Sequence, residues 1–440
     1  MTNDVSHAPG DFYAYHEGGE RIFTVPASAM KYGPGALGEI GDEAKRLGVT
    51  RCALFTDGNV AETTALETAL DALVGAGIDV VVYDAVRVEP TDESFSVAAA
   101  FARDGGFDGF VSLGGGSVID TAKAANLLAT YPDDLLAYVN APHGQAKPVP
   151  GPLMPHIACP TTAGTGSEIT GVAVFDLVRQ QVKTGISSVH LRPGMAVVDP
   201  TCTETMTPGV VAATGFDVLT HAIESYTARP YTSRPRPEAG KRPPYQGANP
   251  FSDIGALAAI RLGGIHLVAA VTDPGAVRSR HQLMFAATLA GQAFGNAGVH
   301  IPHAMSYSVA GLNHDYIAKG YEKANPMVPH GLSVVLNAPA AFRFTAHACP
   351  ERHLQAAAAL GADISGASAA DGGELLASRL TDMMKATGLP SGLAEIGYGE
   401  DNIPALVKGS YAQQRLLAQA PCPVSEESLT ELYQAAMKYW

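Results

Sequence analysis

The chain reads as an α/β domain over residues 1–205 followed by an all-helical domain over 206–440. Three observations predict this. Short β-rich apolar runs alternate with helical stretches from about residue 36 to 205. Two of those runs end in glycine-rich loops, and beyond Pro208 long Ala/Leu-rich helical patterns take over. Strands alternating with helices imply a mainly parallel, layered sheet.

In order, "RCALFTD" (51–57) and "GIDVVVYDAV" (77–86) read as strands separated by a helix over 60–75. "FDGFVSLGGG" (107–116) is a third strand, and "SVIDTAKAANLLAT" (117–130) the helix after it. "HIACPTTAGTGS", "GVAVFDL" and "GMAVVDP" supply further short runs before residue 205. The helical half is predicted as 209–228, 253–273, 277–295, 332–346, 351–361, 371–387 and 425–439. The outlier is an insertion at 229–252. Its Pro- and Arg-rich text, "RPYTSRPRPEAGKRPPYQGANP", cannot be helical throughout and reads as a long loop.

Composition bounds the function. The chain has 440 residues, is 46% hydrophobic and 16% charged, and carries a net charge of -14. That sign argues against nucleic acid or an anionic membrane as partner. The five cysteines are scattered without CxxC spacing, which fits reduced thiols. The polar N-terminal stretch has neither an apolar nor an Arg-rich targeting pattern, and no uninterrupted apolar run reaches the length of a membrane span. Together these predict a soluble cytoplasmic enzyme.

"SLGGGSVIDTAK" (112–123) sits where a strand ends and a helix begins. Its glycines permit close backbone approach, Ser117 is placed to cap the helix, and Asp120 falls at the third helical position. The free amides and the helix dipole there suit a phosphate, or the loop is simply a tight turn. "CPTTAGTGSE" (159–168) offers four hydroxyl residues among two glycines, donors without charge that suit a ribose or diphosphate. Asp57, ending the first strand, can accept from an adenosine ribose or act only as a turn residue. Jointly the three favour a dinucleotide.

"GFDVLTHAIESY" (215–226) puts Asp217 and His221 at i, i+4 on one helix face. "GVHIPHAMSY" (298–307) brings His300 and His303, and "VPHGLSVV" (328–335) brings His330. A carboxylate with imidazoles is a donor set for Fe(II), Zn(II) or Mn(II). Spacing alone leaves open whether the segments converge, and which histidine of 298–307 is the ligand.

These motifs resemble the iron-containing, or group III, alcohol dehydrogenases, in order and spacing, from about residue 21 to the end. "VEPTDESF", "KRPPYQGANPFSD", "HAMSYSVAGL" and "IPALVKG" look most like the subgroup that moves a hydride between hydroxy acids and oxo acids. The resemblance implies a dehydroquinate-synthase-like fold, a nucleotide-binding α/β domain and a helical metal-binding domain with the site in the cleft between. It implies NAD as cofactor and a divalent metal, Fe(II) favoured, held by Asp217, His221, His303 and His330. Cofactor contacts carried over by motif are Asp57, Gly115, Gly116, Ser117, Asp120, Thr161, Thr162, Thr165 and Lys183. It further implies a homodimer and small-molecule substrates, 4-hydroxybutyrate with 2-oxoglutarate, giving succinic semialdehyde and 2-hydroxyglutarate; the alternative is an NAD-dependent dehydrogenase that releases NADH each turnover. Many relatives carry a second histidine four residues after the His303 position, where this chain has Tyr307. Tyr307 is therefore expected to line the substrate cleft as a hydroxyl donor, with His300 beside the ligand as the other candidate catalytic residue. Lys241 and Arg242 of the insertion are the expected anchor for a substrate carboxylate.

Overall fold

The computed structural model describes residues 12–26 and 28–440. The targeting expectation for the first eleven residues lies outside the described residues. Six strands form one parallel sheet, β1 (Ala29–Tyr32), β2 (Arg51–Phe55), β3 (Asp79–Tyr83), β4 (Gly109–Gly114), β5 (His156–Pro160) and β8 (Met195–Val198). Their order is β1-β8-β5-β4-β2-β3, every pairing parallel. Successive side chains point to opposite faces. Cys52 and Leu54 therefore join one apolar cluster, with Leu37, Leu73 and Ile157, while Ala53 and Phe55 join another with Phe110 and Val118. Both faces are covered by helices, and so these strands read as continuous apolar runs.

The covering helices are α1 (Ile40–Arg46), α2 (Gly58–Ala61), α3 (Thr64–Gly75), α4 (Asp92–Asp104), α5 (Gly116–Thr130) and α6 (Leu135–Tyr138). Between β5 and β8 lies an antiparallel hairpin, β6 (Val172–Leu177) and β7 (Val182–Ser187). "GVAVFDL" is thus not in the parallel sheet. Its link to β7 is only residues 178–181, with Gln181 at φ 51°, and a link that short closes a hairpin but no parallel crossover.

The C-terminal half comprises α7 (Pro208–Thr227), α8 (Pro250–Thr272), α9 (Val277–Ala297), α10 (Ile301–Leu312), α11 (His330–Val335), α12 (Ala338–Thr345), α13 (Pro350–Ala359), α14 (Gly372–Ala386), α15 (Ile403–Tyr411), α16 (Gln414–Leu417) and α17 (Glu426–Ala436). Strand β1 and helices α4, α10 and α15 are elements the sequence reading did not delimit. The single pattern 332–346 is two helices, broken at Leu336–Asn337 ahead of Pro339, which has no N–H to continue the ladder. Helix α8 is interrupted by the charges of Asp253 and Arg261, so it is not an uninterrupted apolar run. It is long and apolar enough to cross a membrane, with mean hydropathy 1.9. One stripe of it, including Ala256, Ile260, Gly263 and Leu267, is buried against its neighbours α7 and α9.

The insertion is ordered. Residues Tyr231–Ser233 form a 3-10 turn, and bridges join Pro230 to Ala248 and Gly19 to Pro235. The feature that positions the site is simpler. Asp57, the Gly114–Gly116 loop and Thr161 leave the C-terminal ends of the adjacent strands β2, β4 and β5, the edge where open α/β sheets bind ligands.

Candidate metal centre and cofactor cleft

Helix α7 begins at Pro208 behind a Thr207 cap, whose hydroxyl accepts the Val210 N–H at 3.3 Å. Two turns in, Asp217 and His221 share its buried face. Helix α9 ends at Gly298, φ 92°, and the chain turns at His300 into α10. Pro302 occupies the first turn of α10, and His303 follows it. Helix α11 opens at His330 itself.

The three segments converge. One ligand atom from each of Asp217, His221, His303 and His330 lies within 4.8 Å of the others. Asp217 Oδ1 is 3.6 Å from His221 Nδ1, 3.6 Å from His303 Nε2 and 3.9 Å from His330 Nε2, all too long for hydrogen bonds. Asp217 Oδ1, His221 Nδ1 and His303 Nε2 are buried with no hydrogen-bond partner. Buried polar atoms are normally paired, and these orphans face one another. A divalent cation satisfies all of them at once, and the mixed N/O set fits one.

The surroundings hold His221 neutral and Asp217 ionised, the donor forms of those two groups. The ring of His221 stacks on Phe294, centroids 3.9 Å apart and planes 10° apart. Burial pushes the His221 pKa down to about 3, which leaves the imidazole neutral. Burial works against the Asp217 charge, but the imidazoles of His221, His330 and His303 hold its carboxyl well below the usual range. His303 goes the other way: burial lowers its pKa, and the Glu224 and Asp217 carboxylates override this, raising it to about 9.

Glu224 is the residue the sequence reading missed. It lies on α7 one turn beyond His221, fully buried, and its Oε2 accepts from His303 Nδ1. Its Oε1 accepts the backbone N–H of His300 at 2.7 Å and of His303 at 3.3 Å. A proton on Nδ1 leaves the Nε2 lone pair of His303 free for a cation, the usual arrangement behind a metal-binding imidazole. The signal was present in "THAIESY", where Glu224 follows His221 by three on the same face. His300 was expected to be catalytic. It is instead sealed behind Glu224, its Nε2 3.1 Å from Thr227 Oγ1, and it lines neither cavity described below.

A cleft of about 450 Å³ runs between the two halves. Asp57, Gly115, Gly116, Ser117, Thr161, Thr162 and Thr165 line it from the α/β side, and Tyr321, Lys323 and His330 from the helical side. The glycine loop presses on the threonine loop: a Cβ on Gly116 would stand 2.6 Å from Thr165 Cγ2. Ser117 does not cap α5. The helix starts a residue earlier, after Gly115, with no side-chain cap, and Ser117 Oγ accepts the Glu89 N–H at 3.1 Å. The first amides of α5 therefore face the cleft unclaimed by a cap, as an anion site requires. Asp57 both lines the cleft and caps α2, its Oδ1 accepting from Asn59 at 2.9 Å and Val60 at 3.2 Å.

A second cavity of about 100 Å³ lies beside His221, His303 and His330, walled by Tyr245, Phe294, Val299 and Tyr307. Glu89, Gly116, Ser117, Thr165 and His330 border both spaces. Tyr307 is one turn past His303, its ring 6.4 Å from that of His330. Burial pushes its hydroxyl up to about 12, so it stays a donor. Asp120 borders this second cavity rather than the cleft. It is committed to protein, accepting from Ser167 Oγ and from the Val174 N–H at 2.9 Å. Lys183 borders neither space; it is buried between Glu89 Oε2 at 2.7 Å and Asp176 Oδ1 at 2.8 Å. Nor does the structure bring the insertion's cations to the metal ligands. Lys241 is exposed and pairs with Glu238 at 2.7 Å. Arg242 is neutralised by Glu20 at 2.9 and 3.1 Å, in a small neighbouring depression that shares Thr170, Val172 and Tyr245 with the metal cavity.

Comparison with known proteins shows the family. The family model described as iron-containing alcohol dehydrogenase matches residues 27–200, and that of the Fe-containing alcohol dehydrogenase family, C-terminal, matches 245–437. A mitochondrial hydroxyacid-oxoacid transhydrogenase of Bos taurus is 49% identical over 95% of this chain and 90% of its own length. The Homo sapiens protein of that name is 48% identical over the same shares. Among solved structures, a 1,3-propanediol oxidoreductase aligns with TM-score 0.83 at 29% identity, over 95% of this chain and all of the other. A sulfoacetaldehyde reductase from Bifidobacterium kashiwanohense, solved in complex with NAD+, aligns with TM-score 0.76 at 26% identity, over 95% and 99%. The relatives' names overturn the cytoplasmic expectation, since those from cattle, human and Dictyostelium discoideum are all called mitochondrial. Unpaired thiols and an acidic surface are compatible with either compartment, and so could not have told them apart.

Proposed function

The chain belongs to the iron-containing alcohol dehydrogenase family of oxidoreductases, and from that premise we propose that it is a hydroxyacid–oxoacid transhydrogenase. In this reading it oxidises 4-hydroxybutyrate to succinic semialdehyde and, with the same bound NAD, reduces 2-oxoglutarate to 2-hydroxyglutarate. The observation that carries the reading is near-half identity along 95% of the chain to relatives of that name.

When bound, a divalent cation, here Fe(II), supplies Lewis acidity at the substrate oxygen, and NAD supplies the hydride acceptor and donor. Asp217, His221, His303 and His330 would hold the cation. Gly115, Gly116 and the free amides of α5 would take the diphosphate, and Thr161, Thr162, Thr165 and Asp57 the remaining hydroxyl and ribose contacts. Phe294, Val299 and Tyr245 wall the small cavity with apolar surface, which excludes water from the reacting carbon. Tyr307 places a protonated hydroxyl in that cavity. As a donor it would stabilise negative charge on the substrate oxygen, and it is too weakly acidic to serve as the base. Lys183 would act on the cofactor only through Glu89. A substrate carboxylate drawn toward the depression beside Arg242 would compete there with Glu20. A homodimer, implied by the family resemblance, completes the proposal.

The alternative is a dehydrogenase of the same family that exchanges its nucleotide each turnover. An assay without added nucleotide separates the two. Oxidation of 4-hydroxybutyrate by the metal-loaded enzyme should require 2-oxoglutarate and no free NAD. Strict dependence on added NAD would instead establish the dehydrogenase.

A further inference from the structure

Glu89 stands where the two halves meet, in a backbone conformation a glutamate rarely adopts. Its φ of 52° lies in the left-handed region, and the following Pro90 narrows its choices further. Strain of this kind persists only where surrounding bonds over-determine it, and it gathers at functional sites.

Those bonds reach in three directions. The Glu89 N–H donates to Ser117 Oγ on the glycine loop at 3.1 Å. Its Oε2 pairs with buried Lys183 on β7 at 2.7 Å. Its Oε1 accepts the backbone N–H of His330 at 3.1 Å, across the cleft. The last bond has a particular consequence. Helix α11 starts at His330, and its own N-cap residue, Pro329, contributes no side-chain cap. Glu89 therefore supplies, from the other half of the molecule, an acceptor for a first-turn amide of the helix that carries a metal ligand. Lys183 in turn holds the Glu89 carboxylate in place, because releasing it would leave a buried ammonium with Asp176 alone.

We propose that Glu89 is a positioning residue that couples the metal centre to the cofactor loop, so that a cation on the four ligands slows departure of the nicotinamide cofactor. Fixing His330 fixes Glu89, and Glu89 fixes Ser117, which borders both the cleft and the small cavity. Linkage makes the equilibrium part of the effect reciprocal: the factor by which the cation tightens cofactor binding is the factor by which bound cofactor tightens the cation. The proposal rests on the transhydrogenase reading for its purpose, which is retention of the cofactor between half-reactions.

The test measures NADH release by stopped-flow fluorescence, with enzyme stripped by chelation and enzyme reloaded with Zn(II). In the wild type, zinc should slow NADH release at least tenfold and lower the NADH Kd, and NADH should tighten zinc by the same factor as that change in Kd. In Glu89→Ala the zinc effect should fall below twofold, while Glu89→Gln, which keeps an acceptor for His330, should restore part of it. A purely structural role would lower thermal stability and leave the zinc effect intact. Equal slowing in wild type and Glu89→Ala overturns the proposal, and so does a wild type whose release ignores zinc, which needs no variant to fold. Failure of the nucleotide-free exchange with coupling still present would instead reject the transhydrogenase reading alone.

Discussion

Glu224 illustrates how much one buried carboxylate decides. Three contacts converge on it, from the His303 ring and from the amides of His300 and His303, and none of its oxygens is left to solvent. Replacing it by Gln keeps the shape but removes the charge that fixes the His303 proton on Nδ1. Partners of this kind are worth 10- to 100-fold in metal affinity. Glu224→Gln should therefore weaken Zn(II) binding by about that factor in a competition with a chromophoric chelator. An affinity within twofold of wild type would show that His303 is oriented by packing alone. The four candidate ligands were legible only through the family resemblance of their motifs, and Glu224 was not singled out because a helix carboxylate three residues from a histidine is common without meaning. His300 was misjudged for the opposite reason: its proximity in sequence to His303 suggested the cavity, yet at the start of α10 its ring turns toward Thr227.

At the scale of elements, the metal centre depends on how closely α11 can approach α7. Gly331 follows the ligand His330, and a Cβ there would stand 2.0 Å from the Ala213 carbonyl oxygen and 2.9 Å from Asp217 Cβ. The helices can touch only because that side chain is absent. Gly331→Ala must push α11 outward and carry His330 with it. Overpacking of this kind costs roughly 1–3 kcal/mol. The expected result is a lowered Tm together with metal content well below one per chain after loading and desalting. Full metal content at an unchanged Tm would mean that α11 can shift without disturbing the ligands. The sequence displayed "VPHG" plainly, but not the partner helix that makes its glycine necessary.

On the scale of the whole molecule, the cation would tie together three segments distant in sequence, on α7, α10 and α11, all within the helical half. A ligand bound only by the folded state stabilises it by mass action, about 2.7 kcal/mol at a free concentration 100 times Kd. Metal loading should accordingly raise Tm by several degrees over the chelated protein, read by scanning calorimetry with metal content measured in parallel. Identical melting of loaded and stripped protein would deny that the four residues form a folded-state cation site. The α/β half should share in this gain through the bond from the His330 N–H to Glu89 across the cleft.

The amino-acid sequence by itself determined the layered character of both halves and the two loops that line the cleft between them. It also carried the four candidate metal ligands through their motif resemblance. These are local or periodic properties, written in apolar spacing, glycines and short motifs that need no knowledge of distant neighbours. The tertiary structure alone decided that β6 and β7 pair as a hairpin, that Arg242 is neutralised by Glu20, and that Lys183 reaches the site only through Glu89. It also set His300 behind the ligands and Tyr307 in the cavity. Each of those outcomes depends on which charge or acceptor the fold brings to a side chain from elsewhere in the molecule, and burial makes that partner obligatory.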